Sequence, residues 1–321
     1  MALPELSLVV PVYNEEDNIQ PLFSKIASAM EGLGRSWEVV FVDDGSRDQS
    51  LARLEALAGD DRRVVVVGLR RNYGQTAAMM AGFDHARASV IITLDADLQN
   101  DPADIGKLLD KLNEGYDVVS GWRKNRQDAF ASRTLPSKIA NSLISWATGV
   151  YLHDYGCTLK AYRRELTQHL RLYGEMHRFL PALLAQQGAR VTEVPVNHHP
   201  RLHGTSKYGL GRTLKVLLDL MTVKFLGSYS TKPIYVFGGA GFISSFLGLS
   251  AASYMIYLKL VRGVSMILTP LPMLSAMLII LGVQFLGMGL LAELITRTYH
   301  ESQQKRIYNV RRVVSQEVAT G

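Results

Sequence analysis

The chain holds a single cysteine, Cys157, in 321 residues. That excludes internal disulfides and any cysteine-built zinc cage, and it fits a reducing environment. The common glycine-rich phosphate loops are missing as well: no G-x-G-x-x-G follows a strand-like run, and no G-x-x-x-x-G-K-[ST] occurs. A dinucleotide enzyme and a P-loop NTPase are both disfavoured. The glycine-rich run Gly238-Gly239-Ala240-Gly241 falls in an apolar segment, where it suits close helix packing better than phosphate binding. Charge is absent over two long stretches. Ile234 to Leu258 and Val264 to Ala292 contain no Asp, Glu, Lys or Arg, and each exceeds the roughly 20 residues a helix needs to cross hydrocarbon. The expectation is two transmembrane helices joined by a connector at Lys259 to Gly263.

Basic residues near the ends of those stretches predict their orientation. Lys224 and Lys232 precede the first, and Arg297, Lys305, Arg306, Arg311 and Arg312 follow the second, against Lys259 and Arg262 in the connector. Both termini are therefore expected on the cytoplasmic side. Leu6 to Val12 is too short and too poor in preceding basic residues for a signal peptide. The net charge of +6 lies in scattered or membrane-flanking Lys and Arg, without an aromatic-basic nucleic-acid motif. It points to anionic lipid or phosphate rather than nucleic acid.

The rest of the chain alternates strand-like and helix-like segments. Apolar runs at Leu6–Val12, Trp37–Val42, Arg63–Leu69, Ser89–Leu94 and Asp117–Ser120 read as strands, with helices between them and a further edge strand at Val191–Val196. This spacing predicts a doubly wound, mostly parallel α/β sheet. Three runs end in polar clusters: Pro11-Val12-Tyr13-Asn14-Glu15, Asp43-Asp44-Gly45-Ser46 and Asp95-Ala96-Asp97-Leu98-Gln99. A parallel sheet would bring all three to its carboxyl edge, where ligands of open α/β folds bind. The Asp95–Asp97 pair suits a hard divalent cation shared with a phosphorylated substrate. The alternative is an Asp-rich turn leading into a helix cap at Asn100-Asp101-Pro102. Thr213 to Leu226 has apolar residues at helical spacing and reads as an interfacial helix lying on the membrane.

Together the three clusters resemble those of the GT-A glycosyltransferases of family 2. Arg71-Asn72-Tyr73-Gly74-Gln75, Asp154-Tyr155-Gly156-Cys157 and Gly204-Thr205-Ser206-Lys207-Tyr208 are similar to the polyprenyl-phosphate branch of that family. That branch includes the dolichyl-phosphate mannose synthases, and the nearest likeness is to the undecaprenyl-phosphate 4-deoxy-4-formamido-L-arabinose transferases. The resemblance implies a Rossmann-like GT-A domain over 1–210, a juxtamembrane helix over 211–232, a transmembrane hairpin over 233–296 and a basic cytoplasmic tail over 297–321. It implies that Pro11, Tyr13, Glu15 and Asp43 hold the nucleotide, with Asp95 and Gln99 also facing the donor. Mg²⁺ or Mn²⁺ would sit on Asp95, Asp97 and Gln99, and Asp97 and Arg123 would serve the diphosphate. Arg133, Lys138, Arg201, Ser206 and Lys207 would receive the lipid phosphate. Asp154 would orient the acceptor; where many relatives carry a second acid, this chain has Thr158, which weakens the case for a catalytic base there.

The implied activity is inverting transfer of a sugar from a nucleotide diphosphate, expected to be UDP, to a polyprenyl phosphate at a bacterial plasma membrane. It would serve lipid A or another envelope glycan and be carried out by a homo-oligomer, a tetramer by resemblance. Transfer from GDP-mannose is the related alternative. A processive polysaccharide synthase is disfavoured because Trp37, Trp122 and Trp146 do not lie in a Gln-x-x-Arg-Trp motif. A non-catalytic scaffold that binds nucleotide sugar or lipid phosphate is disfavoured because the acidic pair is intact.

Overall fold

In a computed structural model, residues 3–124, 141, 144–145, 148–168, 170, 172, 176–200, 234–265, 269–302 and 308–316 are described. The chain divides into two compact units, Met1–Val223 with Arg306–Gly321, and Lys224–Lys305. The interfacial helix expected at Thr213 to Leu226 lies outside the described residues.

The first unit is built on one eight-stranded sheet of order β7-β5-β6-β4-β1-β2-β3-β8. Its strands are β1 (Leu6–Val12), β2 (Trp37–Asp43), β3 (Val64–Leu69), β4 (Val90–Thr93), β5 (Val118–Trp122), β6 (Lys160–Arg163), β7 (Val191–Pro195) and β8 (Val310–Val314). β3, β2, β1 and β4 run parallel, as do β5 and β7. β6 is inserted antiparallel between β4 and β5, and β8 closes the far edge antiparallel to β3. The first four strands are buried along their length, as expected of parallel strands covered on both faces.

The helices form for legible reasons. α1 (Ile19–Leu33) turns Ile19, Leu22, Phe23, Ile26 and Met30 to the sheet and stops at Gly34, whose φ of 63° supplies the left-handed cap. α2 (Ser50–Asp60) buries Leu54, Leu57 and Ala58. α3 (Gln75–His85) is buried continuously from Thr76 to Phe83. A Cβ at Gly82 would overlap the Val9 side chain, so glycine lets α3 lie tight on β1. The helix expected at Pro102 begins as a 3₁₀ turn, capped by Asp101 accepting from the Ala103 amide at 3.0 Å. It continues as α4 (Ile105–Asn113). α5 (Arg164–Thr167) and α6 (Leu180–Gln186) follow β6.

β6 and β8 were not foreseen in the sequence. The segment expected as a tail, 297–321, instead continues a helix to Ser302 and contributes β8 to the sheet.

The second unit is a helical hairpin, α7 (Ile234–Arg262) and α8 (Leu271–Ser302). Phe237–Arg262 and Leu271–Ala292 are long and apolar enough to cross a membrane. Only 11% and 17% of their most apolar windows is buried, against the mostly buried surface of a soluble core helix. The connector expected at Lys259 to Gly263 is displaced. Lys259 and Arg262 complete the last turn of α7, Gly263 leaves it at φ 69°, and α8 starts next to Pro270. Charge marks where hydrocarbon ends, whereas glycine and proline mark where helical hydrogen bonding ends.

Small residues bring the two helices together. A Cβ at Gly241 would come within 2.7 Å of the Gly282 carbonyl, and one at Gly282 would overlap Ser245. Ser244 Oγ donates to the Leu278 carbonyl and Ser275 Oγ to the Gly248 carbonyl, both at 2.8 Å. Hydrogen bonds and close contact replace the missing hydrophobic drive between helices in lipid. Gly282→Leu should therefore destabilise the hairpin by about 1–3 kcal/mol, whereas Gly287→Leu, where a Cβ meets nothing within 4 Å, should be neutral. Denaturation of both variants in the same detergent checks the contrast.

Candidate active site

Parallel register brings the predicted clusters to one edge. Val12 aligns with Asp43, and β4 runs beside β1 before delivering Asp95 and Asp97. A cavity of about 200 Å³ opens there. Of the predicted residues, Pro11, Tyr13, Glu15, Asp95 and Asp97 line it. Asp44, Asn72, Gly74 and Gln75 line it too. Asp43, Gln99 and Arg123 are not among its lining residues.

The first two turns are clipped together. The Asn14 amide donates to Ser46 Oγ at 3.0 Å, and Asn14 Oδ1 accepts from the Arg47 amide at 2.8 Å. The Glu15 amide donates to Ser50 Oγ at 2.9 Å, and Glu15 Oε2 accepts from Asn18 Nδ2 at 2.6 Å. Asn14 holds φ at 52° in this turn, a conformation its short polar side chain tolerates.

The two acids after β2 have different surroundings. Asp44 accepts the Tyr73 and Gly74 amides at 2.7 and 2.9 Å, fixing the 70–74 loop. Burial pushes its carboxyl up to about 6 despite those bonds, with Asp43 adding repulsion. Asp43 Oδ2 accepts from the Ser46 amide at 3.2 Å, while its Oδ1 is buried without a partner. Burial raises its pKa as well. A buried acceptor left open is costly.

The Asp95–Asp97 pair follows β4. Asp95 Oδ1 accepts from Gln75 Nε2 and Oδ2 from Thr158 Oγ1, both at 2.8 Å. Thr158 is placed by Thr93 Oγ1, which donates to its carbonyl at 2.7 Å. Burial, then the Asp97 charge, push Asp95 up to about 6. Asp97 is 8% exposed and accepts from the Gln99 amide at 3.2 Å. Between them in the turn, Leu98 sits at φ 62°, a strained conformation for a branched side chain. The helix cap proper falls to Asp101, so the pair is not merely a capping turn.

A divalent cation fits this donor set. Two hard oxygen ligands crowd together at a cavity mouth, and among the described residues no group of three or more His, Cys, Asp or Glu forms a complete cage. That is the arrangement expected when phosphate oxygens finish the coordination. Gln99 faces elsewhere: its Nε2 lies 3.5 Å from the His199 carbonyl.

Arg123 and Asp154, expected in separate roles, grip each other instead. Arg123 Nε and Nη2 donate to the two Asp154 oxygens at 2.6 and 2.9 Å, with the side chains 12% and 7% exposed. Burial opposes the guanidinium charge, but Asp154 outweighs it and holds Arg123 firmly protonated. A bidentate pair of this kind fixes both partners and makes Asp154 a poor base.

Sequence reasoning missed the buried groups behind this edge. Gln75 and Thr158 gain their roles only through contacts 20 and 63 residues away in sequence. Lys160 is buried in β6, its Nζ donating to the Tyr155 carbonyl at 3.1 Å, and burial pulls its pKa down to about 8. His177 Nδ1 lies 2.7 Å from Thr76 Oγ1 and is kept neutral by burial. Cys157 is buried, its thiol pushed up to about 11 by burial, which makes it a packing residue rather than a nucleophile. Arg133, Lys138, Arg201, Ser206 and Lys207 lie outside the described residues.

Asp154→Asn should destabilise the protein by about 3–5 kcal/mol by stranding a buried guanidinium. The double variant Arg123→Leu/Asp154→Leu should recover most of that loss. Urea denaturation followed by tryptophan fluorescence compares them.

Residues 7–171 match the family model described as glycosyl transferase family 2. The chain is 44% identical over 318 residues to the dodecaprenyl-phosphate galacturonate synthase of Rhizobium johnstonii, covering 96% of this chain and 93% of that one. It is 39% identical over 318 residues to the undecaprenyl-phosphate 4-deoxy-4-formamido-L-arabinose transferase of Shewanella sediminis, covering 98% and 94%. Among solved structures, the fold matches glucosyl-3-phosphoglycerate synthase from Mycobacterium tuberculosis in complex with Mn²⁺, UDP and phosphoglyceric acid. The TM-score is 0.54 at 18% identity, covering 69% of this chain and 78% of that one.

Proposed function

The chain belongs to glycosyl transferase family 2, and from that premise we propose that it transfers a sugar from a UDP-linked donor to a polyprenyl phosphate, with inversion, at the cytoplasmic face of a membrane. The observation that carries this reading is the carboxylate pair at the mouth of a cavity on the carboxyl edge of the sheet. Relatives alike over nearly the whole chain are named for sugar transfer to dodecaprenyl or undecaprenyl phosphate, and a fold neighbour binds UDP with Mn²⁺. The two apolar helices supply a means of meeting a lipid acceptor.

The residues divide the work. Pro11, Tyr13 and Glu15 wall the nucleotide site, and Asp43 supports it from behind through the Ser46 turn. Asp95 and Asp97 hold Mg²⁺ or Mn²⁺, which when bound neutralises charge on the departing diphosphate. A polyprenyl phosphate is already an anion, so its oxygen attacks the sugar without help from a general base. Asp154, tied to Arg123, is not needed as one. Arg133, Lys138, Arg201, Ser206 and Lys207 receive the lipid phosphate, and Gln99 supports the Asp97 turn through its backbone amide.

The sheet supports a topology for this reading. Residues before the hairpin and residues after it pair as β3 and β8, which fits a chain that would enter and leave the membrane on one side. The basic flanks favour the cytoplasmic side of a bacterial plasma membrane. The product would serve lipid A or another envelope glycan.

Purified protein with Mn²⁺ or Mg²⁺, undecaprenyl phosphate and a panel including UDP-galacturonate and UDP-4-deoxy-4-formamido-L-arabinose should yield one labelled lipid-linked sugar. No lipid product from any donor, GDP-mannose included, would sink the reading. Asp97→Ala should lower turnover at least ~10³-fold through lost charge stabilisation while keeping the wild-type unfolding midpoint. An active variant would refute the assignment of the cation.

A further inference from the structure

The residues leading into β8 reach the wall of the cavity. The Arg70 amide donates to the Asn309 carbonyl at 3.1 Å, and Asn309 Nδ2 donates to the Tyr73 hydroxyl at 3.3 Å. Tyr308 is buried, its hydroxyl donating to Asp84 Oδ2 on α3 at 2.6 Å. The 70–74 loop is therefore held from two sides. Asp44 grips its far end through two backbone amides, and Gly45 packs so closely on the Arg71 backbone that a Cβ there would overlap it. Asn72 and Gly74 of this loop, with Gln75 and Ala78 of α3, line the cavity.

The lead-in to β8 thus holds the loop of this wall through Asn309, and through Tyr308 it holds α3 at Asp84, the opposite end from Gln75 and Ala78. A sheet edge needs closing, and ladder hydrogen bonds do that without side chains. The side-chain bonds from Tyr308 and Asn309 lie outside the ladder, one on the last turn of α3 and the other on the 70–74 loop. We propose that Tyr308 and Asn309 are positioning residues for donor binding: Asn309 holds the 70–74 loop and Tyr308 anchors α3 from its C-terminal turn, and together they keep this wall in the place that the nucleotide diphosphate requires. The inference rests on the donor reading of the cavity.

Calorimetry of the full chain in detergent with UDP and Mn²⁺ tests it. Losing two hydrogen bonds that hold the wall should weaken UDP binding about three- to tenfold in Tyr308→Phe/Asn309→Ala. The donor KM should rise by the same factor, with kcat and the acceptor KM unchanged, as expected for lost binding that does not discriminate the transition state. Asn309→Asp should bind UDP like the parent, because the Tyr73 hydroxyl can donate to the new carboxylate. Arg312→Ala breaks the contact of β8 with Glu55 on α2 without touching the 70–74 loop or Asp84, and should also bind like the parent. Parental affinity in the double variant overturns the inference and leaves the donor reading standing. Equal weakening by Arg312→Ala overturns it too, since β8 would then act only as a sheet edge. Failure of the unaltered protein to bind UDP overturns both.

Discussion

Like-charge crowding at one sheet edge governs how this molecule is arranged. Parallel register leaves Asp43, Asp44, Asp95 and Asp97 on neighbouring strand ends, in surroundings too dry to screen them. Each buried oxygen must then find a donor or remain a debt for a ligand to settle. Asp44 takes two backbone amides, and Asp95 takes a carboxamide and a hydroxyl. Neutral donors suffice to hold the geometry while leaving net negative charge at the cavity mouth. Thr158 fits this logic. Another acid at that position would add repulsion beside Asp95, whereas a threonine hydroxyl relieves it.

The same principle explains why the cations stay back from the mouth. Arg123 is committed to Asp154, and Lys160 sits buried on a carbonyl in β6. Their fields reach Asp95, yet neither places a charged head among the cavity-lining residues. Ground-state charge is thereby balanced from behind, and the front is left open to a ligand that brings its own cation and its own phosphates.

Much of this was legible in the sequence, for a physical reason. Strands β1 to β4 are mostly apolar runs that stop at polar residues, Tyr13-Asn14, Asp43-Asp44, Arg70-Arg71 and Asp95, so both the element and its end show locally. The two long apolar helices show by their missing charge. β6 and β8 escaped because each is short and carries Lys or Arg: Lys160-Ala161-Tyr162-Arg163 and Val310-Arg311-Arg312-Val313-Val314 have no clean alternation to read. Their strand character comes from partners far away in the chain. The Arg123–Asp154 pair escaped for a similar reason, since 31 residues separate its members and each alone resembles a functional charge. Gly34 marks the end of α1 as expected, whereas Gly263 and Pro270 mark the connector between α7 and α8, where backbone punctuation and charge disagree.

The position of β8 in the chain has a bearing on biogenesis. The ribosome makes β3 about 240 residues before the strand that covers it, counting Val67 to Val313 at the usual rate of roughly 5–20 residues per second. For many seconds the nascent sheet has a bare margin of unmet amides and carbonyls, while the helical hairpin is still being made. Completion of the sheet therefore waits on synthesis of both apolar helices. A fragment cut before Ile234 would keep that margin permanently open to pairing with its neighbours.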